Sequence, residues 1–170
     1  MIPKAVKVAL LVNPNNPAGS EAEIQPTQEA ALRIGLEIIV LYAGTENEIE
    51  VAFTAAVQQR AAALDIAADA FFNSRRAQIA ALALRHTLPT IASDNQAPTA
   101  GVLMSYGSND TEIYRQAGAY VGRVLTGEKP SDLPVVQATK VELVINLKTA
   151  KVLGLTIPPS VLAIADDVIE

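Results

Sequence analysis

One feature restricts the fold more than any other. Short apolar, β-branched runs alternate with single capped amphipathic stretches from residue 6 to residue 92. Val6-Lys7-Val8-Ala9-Leu10-Leu11-Val12 is continuous and is cut by Asn13-Pro14-Asn15-Asn16-Pro17, as expected of a parallel strand covered on both faces. Ser20-Glu21-Ala22-Glu23 reads as a capping box, the Ser hydroxyl bonding the N3 amide while Glu23 reaches back. It opens a helix to about Arg33, which Gly35 ends. Residues 37–42 read as a second strand and Thr45-Glu46-Asn47-Glu48 as a second capping box, with Ile49, Phe53, Ala56 and Val57 on one helical face. Residues 62–67 form a third strand, rich in Ala. Asn73 or Ser74 caps a third helix carrying Ile79, Leu82 and Ala83 to His86, and residues 89–92 form a short fourth strand. One helix between successive strands predicts an α/β fold with a doubly wound parallel sheet and right-handed crossovers over residues 1–100.

The rhythm changes after Ser93. Residues 94–100 are polar and loop-like, and residues 101–107 form an apolar strand between glycines. Asn109 to Glu112 caps a helix with Ile113, Ala117, Tyr120, Val121 and Val124 on one face, stopped by Gly127. A linker at 128–134 holds two of the ten prolines. Residues 140–145 alternate as an edge or half-buried strand does. Asn146 caps a short helix over 147–153, and Gly154, Pro158 and Pro159 break the chain before a final helical turn. Asp166-Asp167 reads as a solvated pair.

Composition removes several functions. Half of the residues are hydrophobic and 18% charged, enough for a core of Ala, Leu, Val and Ile with few aromatics. The net charge is −5 and Arg75-Arg76 is the only basic doublet, so nothing favours nucleic acid, whose binding needs clustered cations to release counterions. The absence of Cys excludes disulfides and thiolate chemistry. The opening apolar run is too short to span a bilayer and lacks a cleavage site; it reads as a buried strand and not as an export signal. His86, the sole His, reads as a helix C-terminal residue favoured by the dipole. A Ser-His-Asp arrangement would need it at a strand carboxyl end. No metal-ligand spacing occurs, and Pro17-Ala18-Gly19-Ser20 holds one glycine where a dinucleotide fingerprint needs three, so no cofactor is expected.

Ligands of open parallel sheets sit beyond the carboxyl ends of the strands. That rule selects residues 13–20, 71–74 and 93–95, which offer amides, hydroxyls and helix N–H groups suited to a small polar ligand. Each has a plainer reading: turn chemistry for Asn-Pro-Asn-Asn-Pro, helix capping for Asn73 and Ser74, core packing for Phe71-Phe72.

Several of these stretches resemble one family. Leu11-Val12-Asn13-Pro14-Asn15-Asn16-Pro17 is similar to the start of the second lobe of ABC-transporter substrate-binding proteins of the tryptophan- and tyrosine-type group. Phe71-Phe72-Asn73-Ser74-Arg75-Arg76 resembles that lobe's motif after its third strand, and Gly101 to Gly107 its strand crossing toward the first lobe. Leu133-Pro134, then Lys140-Val141-Glu142-Leu143-Val144-Ile145-Asn146-Leu147-Lys148-Thr149-Ala150, then Gly154-Leu155-Thr156-Ile157-Pro158-Pro159 resemble the family's tail. The resemblance implies a lobe of a two-lobed, hinged clamshell of the type I periplasmic-binding-protein kind. Such a clamshell closes on a small solute and delivers it to an ABC permease, in the periplasm. It implies a cleft position for Asn13, Asn15, Asn16, Phe72, Asn73 and Ser93. With Ser20, Ser74 and Asp94 from the same clusters, these are the candidate ligand-binding residues.

The resemblance also divides the chain into a lobe (1–100), a crossover strand and helix belonging to the other lobe (101–138), and a return strand with C-terminal helices (139–170). The opening β-α units of the first lobe have no counterpart here. Two consequences are expected: weak affinity for single amino acids, because half a cleft excludes little water, and a homodimer through residues 101–125. A self-associating remnant without transport function and, behind it, a cytoplasmic α/β enzyme are the alternatives. No nucleophile-base pair supports the enzyme.

Overall fold

The computed structural model describes residues 2, 5–136 and 141–170. Seven strands form one sheet in the order β2-β1-β3-β4-β5-β6-β7. β1 (Lys7–Val12), β2 (Glu37–Tyr42), β3 (Leu64–Ile66), β4 (Thr90–Ala92) and β5 (Met104–Ser108) run parallel. β6 (Val141–Asn146) is antiparallel to β5, and β7 (Asp167–Ile169) is parallel to β6. The α/β class and the parallel register of the first four strands are as expected from the alternation, and β5 continues that register on β4. Lys140, the expected start of the sixth strand, lies outside the described residues.

The helices are α1 (Pro17–Arg33), α2 (Glu46–Gln58), α3 (Ala70–Ser74), α4 (Arg76–Arg85), α5 (Asp110–Leu125), α6 (Leu147–Val152) and α7 (Pro159–Leu162). α2 and α4 close the main core, where Ile49, Phe53, Ala56, Ile79, Leu82 and Ala83 meet Ala9, Leu11, Leu64 and Ile66 of the sheet. The opposite face holds a smaller cluster of Leu10, Val12 and Ala67 with Ile24 of α1. A third cluster under α6 and α7 joins Leu103, Leu143, Ile145, Ala150 and Ile157. His86 caps the end of α4 and stacks on Phe53, ring centroids 6.0 Å apart.

Three local expectations are corrected. α1 begins at Pro17, not Ser20: Asn16 is the N-cap, its side chain accepting from Gly19 N–H, and proline is pre-shaped for the first helical turn. Ser20 lies inside that turn and donates its hydroxyl to Asn13 O at 2.7 Å. The helix after β3 is split. Asp69 caps α3, so Asn73 and Ser74 are helical residues and not caps, and Arg75 separates α3 from α4. β6 is not an edge strand, because β7 pairs outside it and its last four residues are buried. Asp166 and Asp167 are both exposed, as a solvated pair is; the Asp166 carboxylate also accepts from Leu143 N–H at 2.9 Å, and Asp167 opens β7. Three residues of strand are too few to show a period in sequence.

Candidate ligand-binding site

Parallel β1 to β4 end at one edge, and the loops leaving them build the site. Asn13 follows β1, Gly44 follows β2, Asp69 to Ser74 follow β3, and Ser93 and Asp94 follow β4. Asn13, Asn73 and Ser93 therefore lie on the same edge of the sheet, as the strand reading requires. Asn73, Ser93, Asp94 and Arg76 line one small cleft over an apolar floor that includes Phe72 and Ile79.

The side chains at this edge divide into two groups. The first is committed to the chain itself. Asn13 donates Nδ2 to Asp69 Oδ1 at 2.9 Å and accepts Asn15 N–H at 3.0 Å. Asn16 donates Nδ2 to Asp69 Oδ2 at 2.9 Å and accepts Gly19 N–H at 3.2 Å. Ser20 is buried and bonded to Asn13, and Ser74 donates to Phe71 O at 2.7 Å. Asp94 is buried, accepts Gln96 N–H at 2.9 Å, and pairs with Arg76 Nη2 at 2.8 Å. Phe72 is core, 1% exposed, so the packing reading holds for it.

The second group is uncommitted. Neither the Asn73 side-chain amide nor the Ser93 hydroxyl bonds any described residue, and the Asn15 side chain uses only its Nδ2, toward Gly44 O at 3.3 Å. Close packing sharpens this edge at Gly107, where a Cβ would stand 1.9 Å from Ser93 O, so only glycine lets β5 pass the β4 loop.

Asp69, Arg75 and Arg76 were not among the expected site residues. Asp69 organises the edge. Burial pulls its carboxyl pKa up, but the amides of Asn16 and Asn13 and the Phe71 N–H outweigh that and hold it below the ordinary range. Its sequence signal was an Asp directly before the apolar run Ala70-Phe71-Phe72 after a strand, an N-cap pattern masked by the equally cap-like Asn73-Ser74. Arg75 stacks over the Phe71 ring at 5.8 Å and reaches Glu46 at 2.7 Å. Among the described residues no group of His, Asp and Glu is arranged to hold a metal ion. His86 sits at the far end of α4, away from this edge.

Comparison with known proteins adds three findings. The family described as ABC transporter substrate binding protein matches residues 1–169. A domain from Streptococcus pneumonia solved in complex with L-Trp is 26% identical, with a TM-score of 0.86 over 98% of this chain and 57% of its own. A conserved domain protein from Vibrio cholerae is 24% identical, with a TM-score of 0.87 over 98% of this chain and 56% of its own. The chain thus spans just over half the length of these solved relatives. No curated protein matches it.

Proposed function

The chain belongs to the ABC transporter substrate binding protein family, and from that premise we propose that it binds a small polar solute such as an amino acid at the carboxyl edge of β1 to β4. Solute capture for transport, and not catalysis, is the role. One observation carries the reading. Asn73 and Ser93 border one cleft and carry side-chain polar groups that no described residue takes up, while Asn13, Asn16, Ser20 and Asp94 are consumed in holding the loops around it. A site that presents a few oriented polar groups over an apolar floor suits a small solute. The L-Trp bound to the 26% identical relative supports an amino acid as the first class to test. Delivery to an ABC permease and a periplasmic setting follow as parts of the same proposal. No described helix is long and apolar enough to cross a membrane.

One lobe supplies one wall of a cleft, so the expected affinity is weak, on the order of 1 mM. Calorimetry against an amino-acid panel tests this. A saturable heat for at least one member, lost in Asn73→Ala at unchanged stability, supports the reading. No heat from any member refutes it, and submicromolar binding would show that one wall is enough.

A second reading concerns partners, and α5 favours it. No described side chain of α5 is buried, and Ile113, Tyr114, Val121, Val124 and Leu125 are all exposed. Gly118 and Gly122 have nothing within 4 Å of a would-be Cβ. Helical glycine costs about 1 kcal/mol against alanine, and close approach of another backbone offsets that. The flanking charges are closed within the chain, Arg115 on Glu112 and Arg123 on Glu128, so the face asks for no charged partner. A second copy meeting it around a two-fold axis satisfies these features. A stable dimer buries roughly 800 Å² per partner, so exposed Tyr106, Val135 and Val136 would join the interface. Sedimentation at micromolar concentration decides it, the dimer being twice 17.9 kDa.

A further inference from the structure

Asp69 does more than a helix cap requires. A cap needs one acceptor for one N–H, and Asp69 Oδ1 provides it to Phe71 N–H at 2.9 Å. The same carboxylate also receives Asn13 Nδ2 on Oδ1 and Asn16 Nδ2 on Oδ2, each at 2.9 Å, from residues 56 and 53 positions away. Each amide is thereby turned so that its oxygen accepts a backbone N–H, of Asn15 for Asn13 and of Gly19 for Asn16. One carboxylate fixes two side chains, and they fix the backbone of residues 13–19. Asn15, the member of this loop with an uncommitted side-chain oxygen, is carried by it.

We propose that Asp69 is the positioning residue of the site: its carboxylate latches the β1–α1 loop to the β3–α3 loop and so holds Asn15 where a solute can meet it. The proposal rests on the solute-binding reading. The chemistry is specific to a carboxylate. Three donors converge on it, and an ionised carboxylate has about four acceptor sites and no donor. An asparagine there would turn an NH2 group toward one of the two amides. A serine would keep the cap and release both.

The test uses the full chain with Asp69→Ser, and Asp69→Asn as the isosteric second variant should the first fail to fold. Asparagine side-chain amides are followed by 15N NMR, and L-Trp at millimolar concentration is the solute probe. In the unaltered chain the Nδ2 protons of Asn13 and Asn16 should exchange more slowly than those of exposed, unbonded asparagines. Asp69→Ser should return both to the exchange of exposed asparagines and weaken L-Trp binding about tenfold, with the helical circular dichroism unchanged. Asp69→Asn should free one of the two. Unchanged Asn13 and Asn16 amides overturn the latch, as does an affinity unchanged after both are freed. If the unaltered chain binds no L-Trp, that result counts against L-Trp as the solute, and the amide exchange alone decides the latch.

Discussion

Ile49 and Phe53 on α2 and Ile113 and Val121 on α5 hold the same kind of position, an apolar stripe on a helix capped at its start. Thr45 caps α2 by accepting Glu48 N–H, and Asn109 caps α5 by accepting Glu112 N–H. Yet Ile49 and Phe53 are fully buried, whereas Ile113 and Val121 are 40% and 58% exposed. α2 lies against α4 and the sheet. α5 leaves β5 tied through its N-cap, Asn109 donating to Glu142 at 2.7 Å, and through the Tyr120 hydroxyl within the helix, donating to Pro134 O at 2.7 Å. A helical stripe in sequence thus specifies a face to be covered. It does not say whether the cover comes from the same chain.

The contrast can be broken by substitutions that should differ widely in effect. Phe53→Ala removes a fully buried ring and the stacking partner of His86, and should destabilise the chain by about 3–5 kcal/mol in denaturant unfolding. A loss below about 1 kcal/mol would mean that the α2 core is not what holds the lobe.

A second effect comes from a charge inside the compact half. Asp65 on β3 has its carboxyl pushed up to about 6, by burial first and by the charge of Glu23 second. The folded form therefore holds its proton at pH values where the unfolded chain, with a carboxyl near 3.9, has lost it. Between about pH 4 and pH 6 the folded state binds more protons, so this group's contribution to stability falls as pH rises. Asp65→Asn should flatten that decline and stabilise the chain at pH 7 by on the order of 2 kcal/mol. A pH profile of unfolding free energy that is identical for both proteins would contradict this.

The smallest effects on stability belong to α5. Val121→Ser should change unfolding free energy by less than about 0.5 kcal/mol, because the side chain is already exposed. In sedimentation it should shift the chain toward monomer. A cost near that of Phe53→Ala would show that α5 is packed within its own chain.

The legibility of the sequence follows the same division. β1, β2, α2 and the α5 cap were readable because long apolar runs and cap residues act over neighbouring positions. The register of Asn13, Asn73 and Ser93 followed from parallel strands alone. The roles of Asn13, Asn16 and Asp94 were not readable, since which polar side chain is spent internally depends on partners far along the chain, Asp69 and Arg76 among them. α3 and β7 were missed because five and three residues carry almost no periodic signal. Ser20 was misread because the capping box it mimics stands one turn inside a helix that proline opens.

The central claim is that the carboxyl edge of β1 to β4 receives a solute. Backbone and side-chain NMR shifts recorded while L-Trp and then an amino-acid panel are added test it most directly. Saturable changes are expected at Asn15, Asn73, Arg76 and Ser93, with the opposite edge near Leu32 and Ile34 unmoved. Changes centred on that opposite edge or around His86, or none for any member of the panel, would contradict it.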